Sequence, residues 1–337
     1  MNRRTTRGLA VASALVVSTT LLAGCADELP QPQPGEAVGG PVLTEEQDTQ
    51  VFTAVADTVA KADKALKGKD LKARVTGPAY EVRTSQLAVA KKRDNAEFVT
   101  DIPSESQQMI IPTTEGWPRT SFSITASTED LETPRLVAFE QGSARADYKM
   151  WSWVQLIPGQ SMPYFADSAV GSAAVAGDDD SLAASPVDAL AQYADLVTLG
   201  AKKSSFAKGF ELPDGDLVAA VAADAAAWKE VDGFEESGTE YTQKYKARKD
   251  EVRAVRTADG GALVMGVLDG TTTVKAEDEA KVPALSETQK ALLGDAAQTN
   301  VLKTEYTDMV ALYVPAKGSD EKIRPLGYSH VATAASN

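Results

Sequence analysis

The only cysteine of this 337-residue chain stands at position 25, directly behind an apolar run from Leu9 to Ala23. One cysteine makes no internal disulfide, so any core the chain builds is held by packing alone. A chain of this length can do that, as one large domain or two ordinary ones. Hydrophobic residues are 43% of the total and charged residues 24%, a globular rather than a disordered balance. The single histidine, His330, cannot complete a histidine-rich metal site. Acidic side chains outnumber basic ones by 48 to 34, a net charge of −14. That sign argues against nucleic acid as a partner, because gripping a phosphate backbone needs a basic footprint.

Arg3, Arg4 and Arg7 precede the apolar run, and no acid interrupts it. A basic start followed by 15 apolar or small residues reads as a secretory signal, too short for a membrane span. Thr5-Thr6-Arg7 lacks the apolar residues that a twin-arginine signal carries after its pair. The end of the run, Leu22-Ala23-Gly24-Cys25, resembles the lipobox of bacterial lipoproteins. That resemblance implies removal of residues 1–24, a diacylglycerol on the Cys25 thiol, and a mature chain anchored through acyl groups on the extracytoplasmic face of the cell membrane. An ordinary signal peptide with a chance cysteine is the alternative. Cleavage before Cys25 would remove three arginines and no acid, taking the charge from −14 to −17. Residues 25–43 hold four prolines, Asp27, Glu28 and Glu36, and no base. This is the composition of an extended, self-repelling tether, roughly 55 Å long if fully drawn out.

Thr44-Glu45-Glu46-Gln47 matches a capping box, and Val51, Val55, Val59, Ala62 and Leu66 follow at helical spacing, with Gly68 as the expected stop. A second helix is expected from Gly77-Pro78 to Arg93. Between Lys61 and Arg93 ten bases face three acids, which reads as solvated helix faces or as a docking face for an anionic envelope polymer. Strands are expected around Phe122–Ala126, Leu136–Phe139 and Tyr148–Ile157. Residues 168–185, with Asp178-Asp179-Asp180, read as a linker. The second half shows the same order: helices at 186–199 and 216–229, then strands at 239–248, 252–257, 263–268, 271–276, 301–314 and 323–332. Asp259-Gly260-Gly261 and Asp269-Gly270 are the expected hairpin turns.

Helices followed by an antiparallel meander, twice over, resemble tandem NTF2-like or cystatin-like α+β domains, and the whole resembles two-part actinobacterial envelope lipoproteins of unassigned activity. The expectation is therefore an α+β fold, with one domain at 44–167, the linker at 168–185, and a second domain at 186–337.

Catalytic motifs are thin. Gly159-Gln160-Ser161-Met162-Pro163 fails as a nucleophile elbow at its last position. Ser205-Phe206-Ala207-Lys208 and Ser319-Asp320-Glu321-Lys322 match S-x-x-K about as often as chance allows, and Lys303-Thr304-Glu305 is not the partner K-T-G. The triple aspartate lacks calcium-loop spacing, and Asp214-Gly215-Asp216 suits a helix cap. His330 reads as a packed or surface residue with no orienting carboxylate near it in sequence. Trp151 and Trp153 are two apart in one strand, which places them on one face together with Lys149 and Gln155. That face is either core or the lining of a pocket for a sugar or an apolar ligand. The reading is a non-catalytic binding or assembly module with no cofactor, partnered by the membrane and by an envelope protein or anionic polymer. A pocket protein lined by Trp151 and Trp153, for a small molecule or lipid and with a possible enzymatic role, is the alternative.

Overall fold

The computed structural model describes residues 39–127 and 133–337. Helix α1, Glu45–Ala65, starts where the capping box predicts: the Thr44 hydroxyl accepts from Gln47 N–H, and the Gln47 side chain accepts from Thr44 N–H. Its buried stripe is Phe52, Val55, Val59 and Ala62. It closes at Leu66 in the left-handed region, φ 50°, two residues before the expected glycine, and Gly68 opens a short 3₁₀ turn instead. Helix α2 is Gly77–Arg93, with Pro78 in its first turn. Six strands follow: β1 Ser106–Ile110, β2 Pro112–Thr113, β3 Arg119–Thr125, β4 Arg135–Gln141, β5 Lys149–Leu156 and β6 Ser172–Val175. Then come α3 Pro186–Leu199, α4 Leu217–Lys229, β7 Glu240–Arg256, β8 Ala262–Lys275, α5 Glu287–Leu293, β9 Val301–Val314 and β10 Arg324–Ser336.

The expected tandem domains do not form. Among the described residues all ten strands join one sheet, in the order β1-β3-β4-β5-β10-β9-β8-β7-β6-β2. Strand β5 of the first half pairs with β10 of the second, and β6, inside the expected linker, pairs with β7 antiparallel and with β2 parallel. The two ends of the order, β1 and β2, are separated in the chain by Ile111 alone. The sheet therefore curls until its ends are neighbours, giving a nearly closed, barrel-like mixed sheet in place of two NTF2-like or cystatin-like domains. Residues Gly39–Asn337 make one compact unit. The last residues of the expected tether belong to it, since Val42 N–H bonds to Pro112 O at 3.0 Å and Pro41 bridges Thr113. The rest of the tether and the signal segment lie outside the described residues.

The hairpin β7–β8 is also longer than expected. The predicted pairs of short strands fuse, with one irregularity between Ala247 and Val252, and Asp269-Gly270 continues β8 rather than turning. A side chain at Gly270 would meet the Tyr245 ring at 2.4 Å, so glycine there serves close packing across the sheet.

Strands β8 and β9 bury both faces. Leu263, Met265, Val267, Met309, Ala311 and Tyr313 join a core with α1, α2 and β3–β5. The alternating residues Ala262, Val264, Leu268, Val310, Leu312 and Val314 join a second core under α3 and α4. This explains the apolar run Ala262–Leu268, interrupted only by Gly266, where a half-solvated strand would alternate. A Cβ at Gly266 would lie 2.2 Å from Leu190 Cδ1 on α3. Gly266→Ala is therefore expected to cost about 1–3 kcal/mol by overpacking, read by denaturant unfolding. Adding Leu190→Ala should recover part of that loss relative to Leu190→Ala alone, and strictly additive effects would show that this contact is not the constraint.

Candidate functional site

Strand β10 pairs with β5 only at Gly327 and Tyr328, after which the two strands part. A cleft of about 600 Å³ occupies the opening, bounded by α2, α4, α5 and the two strands. From β10 it is lined by five consecutive residues, Tyr328 to Ala332. Tyr328 packs with the α3/α4 core and Val331 with the α1/α2 core, so the cleft meets the strand edge-on rather than on one face. The carbonyls of Leu326 and Ala332 point to this edge, onto Ile157 N–H at 2.9 Å and Ser85 Oγ at 3.3 Å. By alternation His330, between them, turns its backbone N–H and carbonyl the same way.

The side chain of His330 is the chemical centre of the wall. Register places it opposite Asp308 on β9, and Nδ1 lies 2.7 Å from Asp308 Oδ1. Tyr306 stacks on the imidazole, with centroids 4.3 Å apart and planes at 11°. Nε2 lies 3.7 Å from Asp224 Oδ2 on α4, too long for a hydrogen bond, and has no hydrogen-bond partner in the protein. Asp308 is fully buried. Burial favours the neutral imidazole, but the charge of Asp308 and the carboxylate of Asp224 outweigh it and lift His330 to about 9. Burial likewise pushes the Asp308 carboxyl up, against the pull of the imidazolium. Each shift is tied to the charge of the other group, and a histidine that keeps its proton to about pH 9 donates rather than abstracts.

The residues singled out from sequence separate in space. Trp153 and Gln155 line the cleft, and the Trp153 indole N–H has no acceptor in the protein. Trp151 does not share their surroundings. The register slips by one residue between Phe139–Met150 and Ala138–Ser152, leaving Trp151 as the extra residue of a bulge. Its ring lies against Gly77 and under the Arg253 guanidinium, 4.7 Å from the centroid. Lys149 turns back to donate to Lys72 O at 2.7 Å. The one-face reading of these four residues is corrected by the bulge. Asp179 pairs with Arg256 at 2.8 Å, and Asp216 caps α4 through Ala219 N–H. Of the Lys61–Arg93 bases, Arg83 is buried against Asp63, and Lys92 reaches Ala291 O at 2.7 Å. Cys25 and the lipobox residues Leu22, Ala23 and Gly24 lie outside the described residues. Among the described residues no three His, Cys, Asp or Glu side chains are grouped to hold a metal ion, and no helix is long and apolar enough to cross a membrane.

A protein-family model described as a domain of unknown function, DUF8094, matches residues 39–337, the span of the compact unit. The chain belongs to this family. No curated protein matches it. Among solved structures, the intermembrane-space region of the chloroplast protein ARC6 aligns with 44% of this chain and 92% of its own, at 16% identity and a TM-score of 0.22. At that TM-score the likeness carries no inference.

One histidine gives a single pair of imidazole C–H resonances, so its titration is directly measurable. The midpoint of its NMR titration is expected near 9 rather than 6.5, falling in Asp308→Asn. Because its folded value is raised, the histidine's own contribution to stability is fully present below about pH 6.5 and is lost as pH rises through 9. A midpoint at or below 6.5 would show that no ion pair forms.

Proposed function

We propose that this chain is a membrane-tethered, non-catalytic binding module of the cell envelope, held by lipidated Cys25 and receiving an extended segment of a partner protein in the cleft between β5 and β10. The observation that carries the reading is the edge of β10. Its backbone at His330 faces the cleft, flanked by the Ala332 carbonyl that Ser85 Oγ already engages, and main-chain groups on a strand edge are the recognition surface for strand addition. Trp153, Gln155 and Tyr306 supply the flanking aromatic and amide contacts that select side chains. The protonated His330 suits a structural donor in this wall better than a general base. The acidic tether and net negative charge fit a body held clear of an anionic headgroup layer.

The cleft is tested by selecting peptides from a random library on the full chain. A selected peptide is expected to slow hydrogen exchange at the His330 and Ala332 amides, and Gln155→Trp, which fills the cleft, should weaken it at least tenfold. Peptides that leave those amides unprotected, or that bind Gln155→Trp equally well, would refute strand addition. The anchor has a separate test: Cys25→Ala should move the protein from the membrane pellet to the supernatant, and a variant that still sediments with membranes removes the anchor from the proposal.

A further inference from the structure

A second cleft, of about 520 Å³, lies on a different part of the molecule, along the flank of α1. Gln47, Gln50, Val51 and Ala54 form its helical wall, a stripe at i, i+3, i+4 and i+7 beside the core-facing stripe. Arg119 on β3, Gln141 on β4, Tyr148, Arg74 and Trp117 face that wall. Val42 and Leu43, among the first described residues of the body, complete the rim.

Its polar groups are short of partners. Tyr148 is only 5% exposed, yet its hydroxyl has no hydrogen-bond partner in the protein. Arg119 Nε is buried and equally unpartnered, and among the described residues no carboxylate pairs with this guanidinium. Its plane stacks on Trp117 at 4.4 Å, which orients it without neutralising it. Arg74 donates to Tyr148 O at 3.4 Å, and its ion-pair partner, Asp147, is largely in solvent. Behind the cleft Asp48 is buried and accepts from Ser123 Oγ at 3.0 Å, and burial pushes its carboxyl up, which reduces its hold on nearby cations. Burial also pushes the Tyr148 phenol up to about 12, so it stays a donor.

Two guanidiniums and one unspent phenolic O–H converge beside the amide side chains of α1, a donor set that matches a tetrahedral oxyanion. We propose that this cleft binds a phosphate group, with Arg119 and Tyr148 as its principal donors and Arg74 at its edge. The site is independent of the β5–β10 cleft. Its phosphate is carried either by a small soluble phosphate or by an anionic phospholipid headgroup, and the two are separable by experiment.

The full chain, in neutral detergent, is titrated with inorganic phosphate and with glycerol phosphate, followed by phosphorus NMR line width. In parallel its preference for phosphatidylglycerol over phosphatidylcholine vesicles is measured by flotation. Saturable binding of the soluble probes, about tenfold weaker in Arg119→Gln and severalfold weaker in the near-isosteric Tyr148→Phe, supports the site and names a soluble phosphate. A vesicle preference lost in the same two variants, with no response to soluble probes, supports it and names the headgroup. Arg256→Gln, on another surface, should change neither. No saturable response to either probe, or wild-type binding by both Arg119→Gln and folded Tyr148→Phe, overturns the proposal.

Discussion

Burial of both faces of β8 and β9 is the constraint on which the rest of this structure depends. A strand pair apolar on both sides cannot end a sheet or face water, so each face must be covered by a separate layer. One face takes α3 and α4, which are near in sequence, and the other takes α1, α2 and the meander β3–β5. Two independent domains would leave one of these faces bare. The first half of the chain therefore supplies part of the cover for the second, and the two halves share one sheet.

The junction between the halves is also where the chemistry collects. Where β5 and β10 part, the helices α2, α4 and α5 surround an opening that no single half could create. The wall holds a carboxylate and an imidazole that would each be costly to bury alone, and their mutual charge is what makes the burial tolerable. Polar groups placed in this way use up stability, and they specify which strands meet, because a one-residue slip of β10 against β9 would separate His330 from Asp308.

Much of the local structure was legible in the residues. The capping box at Thr44, the proline at the start of α2 and the turn at Asp259-Gly260-Gly261 act through near neighbours, and each is found where the chain predicts it. The Asp308–His330 pair was within reach too. The two strands that carry it were expected, and both residues lie eleven positions from Ser319, so pairing the strands as a simple hairpin would have placed them opposite each other. An acid directly before the apolar run Met309-Val310-Ala311-Leu312 was the signal. The bulge at Trp151 left no such mark: it arises where the strand meets the 74–76 segment, which bonds to Met150 in place of β10.

The sequence by itself determined the helices and most of the strands, the single-cysteine constraint and the negative charge, because these rest on composition and on contacts a few residues apart. It also carried, in the two-sided apolar run of β8 and β9, the demand for a layer on each face. Only the tertiary structure decided which layers answer that demand, that β5 lies beside β10, that Trp153 lines a cleft while Trp151 does not, and that His330 has two carboxylates around it. Most of those outcomes depend on pairings between residues far apart in the chain, where the energy lies in which faces are buried together and no local pattern records the choice.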